Sequence, residues 1–94
     1  MNYYVYILKS LSHDRYYVGQ TDNLKARLER HNNGMVQSTK PYSPWELVYY
    51  EKLSSRSLAV RREKEIKNKK SKKYIEYLIE NNQLNRQSPD GCRD

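Results

Sequence analysis

Two tyrosine clusters, an arginine, a histidine and a glutamate are the residues whose types and spacing could do chemistry together. The clusters are Tyr4-Val5-Tyr6 and Tyr16-Tyr17-Val18-Gly19, with ten residues between Tyr6 and Tyr17, and Arg27 and His31 follow in the next segment. Ten of the 94 residues are Tyr and none is Phe. Phe packs as well as Tyr and carries no hydroxyl to satisfy, so a core built only for packing would be expected to use both. Some of these hydroxyls are therefore expected to be present for their oxygen. A guanidinium grips an anion with two parallel donors, an imidazole moves protons near neutral pH, and a carboxylate such as Glu63 binds a hard cation or a base. The structural alternative is a Tyr-rich hairpin packed by its neighbours, with a hydrogen-bonded His beside it.

These side chains need elements to position them. Residues 3–9 (YYVYILK) and 15–20 (RYYVGQ) are β-prone runs joined by the turn-rich Ser10–Asp14, which predicts a hairpin. Alternation along a strand puts Tyr4, Tyr6 and Leu8 on one face and Tyr3, Val5 and Ile7 on the other. If the register puts Tyr6 and Tyr17 on the same side, two phenols converge beside Gly19. With no Cβ, that glycine would let a substrate or a packing helix approach the backbone. A helix follows, with Thr21 or Asp22 as its cap and Gly34 just past its end. Leu24, Leu28, Arg27 and His31 fall on or beside its inward stripe. A second helix, capped by Ser54, Ser55 or Ser57 and running to about Asn68, carries Ala59 and Ile66 seven apart with Glu63 between them. An inward carboxylate there suggests either a metal ligand or a salt-bridge partner for Arg27, while Glu65 reads as solvated. Residues 45–51 read as a third strand after Pro44, 35–43 as a polar loop, and about 72–81 as a third helix. That helix is expected to be capped by Ser71 and to pack through Tyr74, Ile75, Leu78 and Ile79.

The ordered set YVY, YVG, NLKARLERHNNG, PWELVYYE and SLAVRREKEIK resembles the GIY-YIG nuclease domain over about residues 3–80. It is most similar to the small stand-alone bacterial proteins related to the N-terminal domain of the UvrC excinuclease subunit. The resemblance implies an α/β (α+β) fold, a three-stranded antiparallel sheet flanked by about three helices. It implies metal-dependent phosphodiester cleavage. It assigns Tyr6 and Tyr17 as the tyrosines of the two motifs, with Gly19 as the second motif's glycine. Arg27 becomes the first-helix arginine, His31 a histidine found in a subset of members, and Glu63 the single metal-binding glutamate. The chain departs from the pattern at Tyr4, where the motif has Gly, and at Gln20, where related members carry Lys. It also has Lys72-Lys73-Tyr74-Ile75 where several members place an Asn.

On that resemblance, Glu63 would hold one Mg²⁺ or Mn²⁺ and Arg27 would pair with the phosphate. Tyr6 would be the base for the attacking water, its pKa lowered by Arg27 and the metal. His31 would take or orient the Tyr6 proton, and Tyr17 would position water or phosphate.

Composition bounds the partners. Ninety-four residues make one small domain, expected over 1–81 with a disordered tail over 82–94. No run of 18 apolar residues and no signal-peptide pattern occurs, which predicts a cytoplasmic chain with no membrane partner. Cys92 is the lone cysteine, which leaves no internal disulfide. The net charge is +7, and it is concentrated: residues 52–73 hold ten Lys or Arg against two Glu, while the rest has eight basic against nine acidic. Arg61, Arg62, Lys64, Lys67, Lys69, Lys70, Lys72 and Lys73 are the expected contacts to a phosphate backbone, of DNA before RNA. The alternative is a solvated face. The expected activity is that of a DNA endonuclease in repair or processing, acting alone or within a larger repair complex. Its rivals are a catalytically weak or inactive nucleic-acid-binding module of the same fold, and a protein-interaction domain.

Overall fold

The computed structural model describes residues 2–69 and 71–81. The tail expected over 82–94, Cys92 and Lys70 lie outside the described residues. Strand β1 (Tyr3–Ser10) and strand β2 (Tyr16–Thr21) form the hairpin, helix α1 (Leu24–Asn32) follows, and strand β3 (Trp45–Leu53) completes the sheet. Helices α2 (Arg56–Lys69) and α3 (Lys72–Glu80) come last. The sheet order is β2-β1-β3, with β1 antiparallel to both neighbours. This is the three-stranded, three-helix α+β architecture that the sequence predicts.

β1 sits in the middle because its sequence is apolar on both faces. Val5, Tyr6, Ile7 and Leu8 are all fully buried, as expected of a strand covered on each side. Its odd positions join Val18, Tyr49, Ala59, Ile66 and Leu78 in a core under α2 and α3. Its even positions, Tyr6 and Leu8, join Trp45, Tyr17, Leu24 and Leu28 in a second core under α1. α3 buries Leu78 and half-buries Tyr74, Ile75 and Ile79 against the first core.

The helix ends follow local chemistry, with one correction. The cap of α1 is Asn23, whose Oδ1 accepts from the Ala26 N–H at 3.1 Å. Thr21 and Asp22 were the expected caps, but Thr21 still belongs to β2. Its hydroxyl instead accepts the Asn23 N–H at 3.1 Å and so sets the angle of entry into the helix. At the other end Gly34 has φ 73°, and Gly34 and Met35 donate to the carbonyls of His31 and Arg30. That is a left-handed helix stop that favours glycine. Ser55 caps α2 through the Leu58 N–H, and Ser71 caps α3 through the Tyr74 N–H, each at 3.2 Å. The 35–43 loop is not wholly irregular: Lys40–Tyr42 form a 3-10 turn, and Thr39 at its start is buried.

Candidate active site

The hairpin register decides the geometry. Tyr6 pairs with Gly19 and Leu8 with Tyr17, so both phenols point to the α1 side of the sheet. Their ring centres are 6.2 Å apart. Gly19 is needed for this, though not to admit a helix or a substrate. A Cβ there would lie 2.6 Å from the Tyr6 hydroxyl and 2.9 Å from a Tyr17 ring carbon. The two phenols fill the space over the glycine.

α1 delivers His31 into the same space. It is fully buried. Its ring centre lies 4.8 Å from that of Tyr17, and its Nε2 lies 3.2 Å from the Tyr6 hydroxyl. Its Nδ1 lies 2.8 Å from the hydroxyl of Thr39. The Thr39 hydroxyl donates to the Val36 carbonyl at 3.2 Å, so its oxygen accepts from Nδ1–H. Nε2 is then the bare nitrogen, and Tyr6 donates its proton to it. Thr39 is itself fixed, because Trp45 Nε1–H donates to its carbonyl at 3.0 Å. Trp45 is clamped in turn by Asn32, whose side chain pairs with both its N–H and its C=O. Sequence reasoning missed Thr39, Trp45 and Asn32. The only available signal was that a buried imidazole leaves a second nitrogen in need of a partner.

Tyr6 was expected to have its pKa lowered by Arg27 and a bound metal together. The guanidinium does act in that direction, but burial raises the phenol further, Tyr17 adds to the rise, and Glu63 contributes a smaller push upward. Tyr6 is thus neutral, and both Arg27 and Glu63 are close enough to act on it. His31 is held below the usual value by burial first and then by Arg27 and Arg30.

This last shift has a consequence for stability. Below the ordinary imidazole value of 6.5 the unfolded chain takes up a proton that folded His31 resists. The unfolded state binds more protons there, so stability should fall as pH drops through that value and level off near the lowered native one. Denaturant midpoints at pH 7.5 and pH 5.5 should show the loss, and it should shrink in His31→Gln. An equal loss in both would place the titration elsewhere.

Glu63 is one-fifth exposed, and among the described residues its salt-bridge partner is Lys67, one turn on, at 2.6 Å. The pairing with Arg27 allowed by the sequence is not the one formed. Lys67 also reaches over the Tyr17 ring, 6.0 Å from its centre. Tyr6, Tyr17 and His31 are therefore packed together on the α1 face of the hairpin, with Arg27 on α1 and Glu63 on α2 close enough to act on the charge of Tyr6. Among the described residues no three His, Cys, Asp or Glu gather into a cage. A single partly exposed carboxylate suits a hard ion that keeps most of its shell as water and substrate oxygens, which is the habit of Mg²⁺.

The basic face needs a second correction. Arg61, Lys64, Lys67, Lys69, Lys72 and Lys73 are exposed, but Arg62 is not available to a phosphate. It binds Glu51 on β3 through Nε and Nη2 at 2.9–3.0 Å and Glu65 at 2.9 Å. Those partners raise its pKa further. Arg62 fastens α2 to the sheet, and Glu65, expected to be only solvated, is part of that fastening. Lys72 pairs with Asp14.

A family model described as the GIY-YIG catalytic domain matches residues 2–75. The chain belongs to the GIY-YIG family. A UPF0213 protein of Staphylococcus haemolyticus is 47% identical over 66 residues, covering 69% of this chain and 79% of that one. UPF0213 proteins of Staphylococcus aureus strains are 36% identical over 80 residues, covering 84% of this chain and 96% of theirs. The solution NMR structure of a UPF0213 protein from Bacillus halodurans shares the fold with a TM-score of 0.53 at 32% identity, covering 85% of this chain and 84% of that one. Endonuclease activity is implied at the level of the GIY-YIG family. No helix among the described residues is long and apolar enough to cross a membrane.

Proposed function

We propose that the chain is a divalent-metal-dependent DNA endonuclease whose reaction centre is Tyr6, Tyr17, Arg27, His31 and Glu63. The observation that carries this reading is the directed chain Tyr6–His31–Thr39, buried beside an arginine and a carboxylate. A packing role alone does not require a defined proton path. An ion held by Glu63 would supply charge relief on the phosphate. Arg27 pairs with a phosphate oxygen and favours the charge that develops there. Tyr6 is neutral, so it serves as a relay: its oxygen takes a proton from the attacking water while its own proton passes to His31 Nε2. His31 stays neutral at pH 7 because burial and two arginines resist its protonation, and so it is ready to accept. Tyr17, beside Tyr6 and His31, orients the water or the phosphate. Lys67 neutralises Glu63 until a cation takes its place. Mg²⁺ or Mn²⁺ fits this donor set, and DNA repair or processing fits the activity.

The test is cleavage by wild type across nicked, branched, single-stranded and duplex DNA with Mg²⁺ and with Mn²⁺. Metal-dependent products from at least one substrate are expected. Complete inertness with both ions would sink the enzyme reading. A binding module of the same fold would then take its place.

The exposed lysines give a separate prediction. Lys64, Lys69 and Lys73 replaced together by Ala should flatten the dependence of log affinity on log salt, by up to about three units for three lost phosphate contacts. An unchanged slope would make this face a solvated surface only.

A further inference from the structure

β2 is an edge strand, and a cleft of about 620 Å³ runs along its outer side, between the strand and the junction of α2 and α3. The floor is apolar: its open surface comes from Ile75 and the rings of Tyr16 and Tyr17, with the buried Val18 and Ile66 directly beneath. The rim carries Arg15, Lys67 and Lys72 together with Asp14, which Lys72 holds. Tyr17 and Lys67 line it as well, and both belong to the Tyr6–His31 neighbourhood. The cleft therefore shares Tyr17 with the reaction centre and opens beside the rest of it.

We propose that this cleft takes one unpaired nucleotide of the bound strand, with its base on the apolar floor and its phosphate against Lys67 and Lys72. The proposal rests on the nuclease reading and adds a substrate class to it: DNA that is unpaired next to the cut. Three cations against two carboxylates, Asp14 on Lys72 and Glu63 on Lys67, leave a net positive rim that suits an anion. A phosphate alone has no use for an apolar floor of Ile75 and two tyrosine rings. A nucleotide does, because it joins an anionic backbone to a flat, apolar base face. The volume lies within the range of about 300–1,000 Å³ typical of small-ligand clefts. In a duplex the base faces are covered by stacking, so only an unpaired or extruded base reaches the floor. Lys67 links the cleft to the centre. A phosphate that draws Lys67 away loosens its pair with Glu63 and bares that carboxylate for a cation. Substrate seating thereby unmasks the metal ligand.

An edge strand can instead accept an extended peptide, and the test separates the two occupants. The full chain, with Val and Ile methyls labelled, is titrated by NMR with a six-nucleotide single strand, the same strand with one abasic position, a blunt duplex, inorganic phosphate, and an extended uncharged peptide. The single strand should shift the methyls of Val18, Ile66 and Ile75. Loss of the one seated base should restore them and weaken binding by about 5-fold or more, given the usual value of a stacked base. Duplex and phosphate should leave these methyls in place. Methyls unmoved by the single strand, moved equally by duplex, or moved only by the peptide would each overturn the proposal. The readout is binding in EDTA, so a chain that cuts nothing can still pass, and an active nuclease with silent methyls rejects this proposal alone.

Discussion

Glu63→Gln should lower metal-dependent DNA cleavage by at least about 10²-fold, roughly 2.7 kcal/mol of barrier. The substitution keeps the shape of the side chain and removes the charge that would hold a divalent ion. Folding should survive, because the side chain is partly exposed and its partner Lys67 is exposed as well, and such pairs contribute little to stability. DNA affinity measured without metal should hold or rise, since a negative charge beside the basic face disappears. Arg27→Ala should also abolish cleavage, but with a loss of affinity for the strand, because its guanidinium is proposed to touch the phosphate. The contrast between the two variants is the informative part. If Glu63→Gln cuts as fast as wild type, the carboxylate is only the partner of Lys67 and the proposed centre is wrong.

Gly19→Ala should destabilise the fold by about 1–3 kcal/mol, the usual cost of overfilling a packed site. The new methyl would meet the Tyr6 hydroxyl at 2.6 Å, its Cζ at 2.8 Å and a Tyr17 ring carbon at 2.9 Å. A surface tyrosine would swing aside, but Tyr6 is fully buried and bonded to His31. For a domain of this size each kcal/mol lowers the thermal midpoint by about 4–8 °C. Adding Tyr6→Phe removes the closest clash while leaving the Cζ contact. The double variant should therefore recover part, not all, of the loss, a coupling that a thermodynamic cycle reads directly. A Gly19→Ala protein as stable as wild type would show that the phenols are not pinned over the glycine.

The parts of this molecule that are local in sequence were legible before any coordinates. Alternation along YYVYIL separates the two cores, and the spacing of Ala59, Glu63 and Ile66 on one helical stripe points the glutamate inward. The α1 cap slipped by one or two positions because a Thr can end a strand or start a helix, and only the pairing of Thr21 with Tyr4 decides between them. What was not legible depends on contacts far apart in the chain. Arg62 reads as one more cation on a basic helix until β3 places Glu51 against it. Thr39 reads as loop until Trp45 and His31 close on it from two different elements. For Tyr6, sequence shows the neighbouring charge of Arg27 but not the depth of burial, and burial outweighs that charge in the protein alone.

β1 has helices on both faces and a strand on each side. Its amides are therefore expected to be the last in the molecule to exchange with deuterium, opening only when the whole domain opens. Tyr6 is carried on that strand, so its backbone has no private fluctuation to draw on. Any loosening that the proposed reaction needs must come from the surroundings: the 35–43 loop that carries Thr39, the Lys67–Glu63 pair, or the rim of the β2 cleft. In exchange terms the centre is a fixed post with movable neighbours. Residues that tune its turnover should map to fast-exchanging segments beside it and not to the strand that bears it.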